Sequence, residues 1–231
     1  MRQILLDTET TGFDPKNGDK IIEIGAVELI KRKLTHNNYH QYIQPERDVP
    51  IDAIEVHGIT NEFLVGKPIF ADVVDDFMEY VAGAELIIHN APFDVGFINH
   101  ELSQLPNNKW GKIEDHCSIT DSLKMARKAY PGQRNSLDAL CKRFLIDNSN
   151  RTLHGALLDS EILADVYLAM TGGQTALVLA DEEGSSSDAS RVNLNTQRAP
   201  LKVLKASAEE LAAHNGKLQQ ISEKCGDTIT W

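Results

Sequence analysis

Cysteine is scarce in this 231-residue chain: Cys117, Cys141 and Cys225 are the only three. An odd number of widely separated thiols excludes a disulfide framework and a paired-thiolate zinc site, and leaves structural free thiols as the expectation. Basic residues are also in short supply. Lys and Arg number 23 against 34 Asp and Glu, a formal charge of −11 with a pI near 5.1. No basic stripe with interleaved aromatics is present, so the chain is not expected to grip nucleic acid tightly unaided. No apolar run approaches the about 18 residues that a membrane helix needs. The start, from Met1 to Asp7, turns acidic too soon for a signal peptide, and a cytoplasmic location is expected. Apolar residues are not lacking: at 42% they exclude global disorder, and the length allows one sizeable core plus an appendage.

Most of the acidic excess lies in residues 1–172, where apolar runs alternate with helical spacing. Buried-strand candidates are Gln3–Leu6, Lys20–Ile30, Tyr39–Ile43, Glu85–Ile88 and a weaker Cys117–Thr120. The spacing predicts helices over Phe70–Val81, Pro92–Leu105, Asp121–Ala129, Ser136–Phe144 and Gly155–Met170. Three strands in a meander followed by alternating strands and helices give an α/β class: a mixed five-stranded sheet flanked by helices. Residues 173–200, polar and rich in small side chains from 181 onward, read as a flexible linker. In the tail, 201–231, an apolar patch at Leu201–Leu204 precedes a capping-box pair, Ser207 and Glu210, which opens a helix of about ten residues through Leu211 and Leu218. A piece this small buries no core alone, so it is expected to fold onto something else.

Four carboxylates stand where solvated charges are not expected. Asp7 and Glu9 close the first strand in Asp7-Thr8-Glu9-Thr10-Thr11-Gly12. Side chains two apart on a strand share a face, so these carboxylates lie side by side and repel unless a cation intervenes. Oxygen donors suit Mg²⁺ or Mn²⁺, although wet strand ends also carry acids. Asp94 falls in the first turn of its helix, where the helix dipole alone can explain it. However, Phe97 and Ile98 at i+3 and i+4 put it beside the apolar stripe, where a carboxylate needs a partner. Asp159 lies inside the stripe of Leu158, Ile162, Leu163, Val166 and Met170, with Ser160, Glu161 and Asp165 expected on the solvent side. A metal ligand or a buried hydrogen bond accounts for it.

His154 stands five residues before Asp159, about 140° away if both were helical, so one regular helix cannot aim both at one site. It is therefore expected at or before the helix start, on backbone that Gly155 keeps pliable. A loop histidine beside carboxylates suits a general base acting on water; an ordinary surface histidine is the alternative.

In this order, Asp7-x-Glu9-Thr10-Thr11-Gly12, His89-Asn90 with Phe93-Asp94, and His154 with Asp159 resemble the three motifs of the DEDD exonuclease superfamily in its histidine-containing branch. Ile22-Glu23-Ile24-Gly25-Ala26-Val27, Val56-His57-Gly58-Ile59-Thr60, Asn135-Ser136-Leu137-Asp138 and Glu209-Glu210-x-x-Ala213-His214 are similar to segments of the proofreading subunits of bacterial replicative DNA polymerases. No departure occurs at the five catalytic positions. The resemblance covers residues 1–172 and continues into the tail. It implies a ribonuclease H-like fold and removal of nucleotides from a DNA 3′ end, single-stranded or frayed, as 5′-monophosphates.

By the same resemblance, two Mg²⁺ or Mn²⁺ ions would be held by Asp7, Glu9, Asp94 and Asp159, with His154 as general base. Glu9 and Asp159 would also border the substrate. His57 and Phe93 are candidates to touch the terminal sugar or base, with core packing as the competing account. The tail would attach to the alpha subunit of the polymerase, and an accessory subunit could sit on the exonuclease domain. Gln174–Leu179 resembles a sliding-clamp-binding peptide, and a continuation of the preceding helix explains it as well. Two rivals remain open from sequence: an exonuclease acting on RNA ends, and a non-catalytic scaffold, which would be expected to have lost a carboxylate or the histidine.

Overall fold

The computed structural model describes residues 1–149, 151, 153–172 and 206–225. The first unit is built on one mixed sheet of six strands: β1 (Arg2–Thr10), β2 (Ile21–Ile30), β3 (Lys33–Leu34), β4 (Tyr39–Tyr42), β5 (Glu85–Ile88) and β6 (Ser118–Asp121). The order is β3-β2-β1-β5-β6, with β4 also on β2. β1 runs antiparallel to β2, from Arg2 opposite Ile30 to Thr10 opposite Ile21, and parallel to β5, which is parallel to β6. The five expected strands are all present, and β3 is the addition. It forms because Lys31 (φ 51°) and Arg32 (φ 63°) turn the chain back in the left-handed region. That hairpin geometry is usually signalled by Asn-Gly, and Lys31-Arg32 stands in its place here.

The strand alternation of β1 decides which helix each residue meets. Ile4 and Leu6 pack with Phe77 of α3 (Phe70–Val81) and with Phe97, Ile98 and Leu102 of α4 (Pro92–Gln104). Leu5 goes to the opposite face, against Leu163, Ala164 and Tyr167 of α7 (Ala156–Thr171). α5 (Ser122–Ala129) and α6 (Leu137–Phe144) cover the outer side of α7 through Ala126, Leu140, Cys141, Ile162 and Val166. Each fully buried Leu, Ile or Phe contributes roughly 1.5–3 kcal/mol, so both faces of β1 are firmly anchored. Cys117 and Cys141 are buried free thiols.

Two short helices, α1 (Ile51–His57) and α2 (Asn61–Leu64), were not expected. One or two turns leave little periodicity to read, and their limits come from Pro50 and the left-handed Gly58 in one case and the Thr60 cap in the other.

α7 lies directly on β2. A Cβ at Gly25 would come within 2.2 Å of the Ala156–Leu157 backbone, so only glycine permits this approach. Ser160 Oγ donates to the Gly25 carbonyl (2.9 Å), and the Ala156 N–H donates to Glu23 Oε2 (3.1 Å). Ser160 is thus fully buried, not on the solvent side as expected, because α7 is covered by the sheet as well as by α5 and α6. Glu161 and Asp165 are exposed, as expected.

In the second unit, α8 (Ala208–Cys225) is an exposed 18-residue helix, longer than expected. Its reciprocal cap is present: Glu210 N donates to Ser207 Oγ (3.2 Å) and Ser207 N donates to Glu210 Oε2 (2.8 Å). The proposed linker, Leu201–Leu204 and Gln174–Leu179 lie outside the described residues. Among the described residues no helix is long and apolar enough to cross a membrane.

Candidate active site

The carboxyl ends of β1 and β5 form the crevice where an open α/β sheet usually binds its ligand. A register shift between Glu9 and Thr10 ends the regular pairing of β1 at this point. Asp7 and Glu9 follow Leu5 onto the α7 face, toward Asp159. Thr8 follows Leu6 onto the other face, where its hydroxyl donates to Asp94 Oδ1 of α4 (2.7 Å). One strand therefore gathers acids from two helices on opposite faces.

The electrostatics follow from this crowding. Asp94 and Asp159 are 2% and 4% exposed. Loss of hydration, then the charges of Asp94, Glu9 and Asp159, push Asp7 well above the ordinary carboxylate range. Burial, then Asp159, Glu23 and Asp94, push Glu9 up to about 8. Burial raises Asp94 to about 7 against the pull of the Thr8 hydroxyl. Asp159 goes the other way: burial opposes its ionisation, but the hydrogen bonds and charge of Arg151, with His154 close by, hold it below the usual range.

His154 lies two residues before α7, and its backbone N–H donates to the Val56 carbonyl at the end of α1 (3.0 Å). Its ring is about half exposed, with Nδ1 3.3 Å from Asp159 Oδ2. Ligand atoms of Glu9, His154 and Asp159 all lie within 4.8 Å of one another, as a metal ion requires. The oxygen-rich donor set and the surplus of crowded negative charge both fit divalent Mg²⁺ or Mn²⁺.

Arg151 was not foreseen. Its buried guanidinium grips both oxygens of Asp159, with Nη2 to Oδ2 at 2.6 Å, and donates to His154 Nδ1 (2.8 Å) and Asp138 Oδ1 (2.9 Å). No periodicity marks a loop residue, and the nearest signal was its place three residues before His154. Thr8 was overlooked for a similar reason: between two acids it reads as a spacer, although alternation sends it to the other face.

Two cavities meet at Thr8 and Glu9. One, of about 450 Å³, is bordered by Phe93, His57, Val56 and Phe13. Phe93 packs on Phe97 at 4.9 Å between ring centroids. His57 is buried, its Nδ1 accepts the Ile59 N–H (3.0 Å), and its Nε2 has no partner among the described residues. The other cavity, of about 660 Å³, runs past Asp7, Asp159 and His154 to Asn90, Arg127, Gln133 and Arg134. Asp7, Glu9, His154 and Asp159 thus border the larger cavity and Glu9, His57 and Phe93 the smaller one, while Asp94 lies buried behind Thr8.

A mixed sheet with clustered carboxylates at the end of its central strand, joined by a loop histidine, defines a ribonuclease H-like nuclease. The chain belongs to the exonuclease family, whose model matches residues 4–167, and to the DNA polymerase III epsilon subunits within it. The DNA polymerase III subunit epsilon of Salmonella typhimurium is 54% identical over 235 residues, spanning 99% of this chain and 96% of that protein. Its counterpart in Escherichia coli is 52% identical over the same shares. Among solved structures, exonuclease X in complex with 5′ overhanging duplex DNA is similar with a TM-score of 0.57 and 26% identity, over 74% of this chain and 94% of that one. The nuclease domain of 3′hExo, a DEDDh family member bound to rAMP, shares the fold with a TM-score of 0.61 and 22% identity, over 73% and 90%.

Proposed function

We propose that this protein is the proofreading 3′–5′ exodeoxyribonuclease of DNA polymerase III, removing mismatched 3′-terminal nucleotides as 5′-monophosphates. The observation that carries the reading is the cluster of Glu9, His154 and Asp159 within reach of one ion, with Asp7 crowded by Glu9, Asp94 and Asp159, in a chain similar to epsilon subunits over nearly its full length. Two Mg²⁺ or Mn²⁺ ions would be held by the four carboxylates. When bound, such a pair activates water and stabilises the attacking and leaving oxygens of phosphodiester hydrolysis.

The chain's own groups supply the rest. His154, half exposed beside Asp159, serves as the general base that accepts the proton of the attacking water. Glu9 and Asp159 flank that water. The Phe93 ring and the unpartnered Nε2–H of His57 receive the terminal base and sugar in the smaller cavity. The polymerase III alpha subunit takes the tail, 201–231, through linker 173–200. An accessory subunit on domain 1–172 and a sliding clamp on Gln174–Leu179 are the further contacts of this reading.

The test compares Mg²⁺-dependent trimming of mismatched and paired DNA 3′ termini, with and without the alpha subunit, against Asp7→Ala. Faster removal of mismatched ends and inactivity of the variant are expected. Equal or faster trimming of RNA, or an active Asp7→Ala protein, overturns the reading. Truncation after Gly172 should keep the rate on free oligonucleotides and abolish copurification with alpha.

A further inference from the structure

A 3′-terminal phosphodiester has unequal flanks: one nucleoside on the side that leaves, and a polyanionic strand on the side that stays. The two cavities are unequal in the same sense. The smaller one is bordered by Phe93, His57 and Val56, and the larger one ends in two exposed arginines, Arg127 of α5 and Arg134 of the α5–α6 loop. In a chain with a surplus of acids, neither has an acidic partner among the described residues. Two nearby cations do, Lys124 with Asp121 and Arg151 with Asp138 and Asp159, whereas Lys128 and Arg143 have no ion pair among the described residues either.

The loop that presents Arg134 is built rather than slack. Arg143 of α6 stacks over Tyr130 at 4.4 Å and donates to Gln133 Oε1 (2.9 Å), the Arg134 carbonyl (2.9 Å) and Asn135 Oδ1 (3.1 Å). The backbone of Arg134 is thereby pinned while its guanidinium stays free to point at a ligand. Unpaired guanidinia on a fixed frame are suited to phosphate oxygens, which they bind by charge-assisted, often bidentate hydrogen bonds.

We propose that the larger cavity is the track for the strand that remains after cleavage, and that Arg127 and Arg134 bind its phosphates upstream of the scissile one. The proposal rests on the exonuclease reading above. It adds a binding role to residues outside the carboxylate cluster, and it explains how an acidic protein could hold a single strand in register without a basic surface.

The test uses the full chain with two substrates: a single-stranded DNA octanucleotide, and the 4-nitrophenyl ester of thymidine 5′-monophosphate, which has a terminal nucleotide and no upstream strand. For Arg127→Ala/Arg134→Ala, the ratio of kcat/KM on the octanucleotide to that on the ester should fall on the order of tenfold or more, chiefly through KM. The salt dependence of octanucleotide KM should become shallower by about 0.7 log units per log unit of salt for each arginine lost. Arg127→Lys/Arg134→Lys should restore that slope, since it follows charge. An unchanged ratio and slope, a parallel loss on both substrates, or no recovery with lysine each overturns the proposal. If the unaltered protein cleaves neither substrate, the exonuclease reading itself fails, an outcome separate from those three.

Discussion

The guanidinium of Arg151 grips both oxygens of Asp159, with the two side chains only 8% and 5% exposed. Asp159 is also the acid nearest His154, so this pair occupies the side of the crevice where a cation is needed. A divalent ion at Asp159 must share its oxygens with Arg151 or displace the guanidinium. Removing one partner of a buried ion pair typically costs about 3–5 kcal/mol. Arg151→Ala is therefore expected to lower the stability of the metal-free protein by roughly that much, and saturating Mn²⁺ to recover most of the loss. Thermal unfolding in EDTA and in Mn²⁺ measures both. An equal loss in the two conditions would show that Arg151 and the ion do not compete.

The pH dependence of stability has an unusual sign for an acidic protein. Glu9 and Asp94 are raised to about 8 and about 7 in the folded state, so the fold binds protons that the unfolded chain releases near the ordinary values of 4.5 and 3.8. The stability they contribute is complete below those ordinary values and is lost as pH rises through 7 to 8. Asp159, held low, contributes in the opposite sense, and its share is lost only in acid. The metal-free protein should melt at a lower temperature at pH 8 than at pH 6. Mn²⁺ should raise the melting temperature more at pH 8, because its ligands must be deprotonated to bind. A Mn²⁺ shift that is the same at both pH values would falsify this account.

His154→Ala should reduce kcat by about 10²–10⁴-fold with little change in KM, as expected for loss of a general base. Pre-steady-state rates separate chemistry from product release. A variant with an unchanged rate would remove His154 from the reaction.

Gly25→Ala tests how the site is held. The added Cβ would meet the α7 backbone, which must retreat, at a cost of about 1–3 kcal/mol. Because Asp159 sits in the first turn of α7, even a small shift of the helix should lower kcat, on the order of 100-fold for a displacement near 1 Å. Denaturant midpoints and exonuclease rates report the two effects. Normal activity in a destabilised variant would mean that α7 tolerates the shift.

The sequence by itself determined the periodic parts of this protein. Alternation in β1, the stripe on α7 and the acids placed within both made the sheet, its flanking helices and the acids Asp7, Glu9 and Asp159 legible, because a misplaced charge in a regular pattern is visible without coordinates; Asp94 stood out beside Phe97 and Ile98, and His154 only through its spacing from Asp159 and the motif resemblance. It could not show β3, α1 or α2, which are set by single left-handed or capping residues rather than by a repeat. Nor could it show that Arg151 closes on Asp159, that Thr8 reaches Asp94, or that Gly25 lets α7 seat against β2. These are contacts between segments far apart in the chain or across irregular loops, where no period links the partners, and only the packing of the two helical layers on β1 brings them within hydrogen-bonding reach.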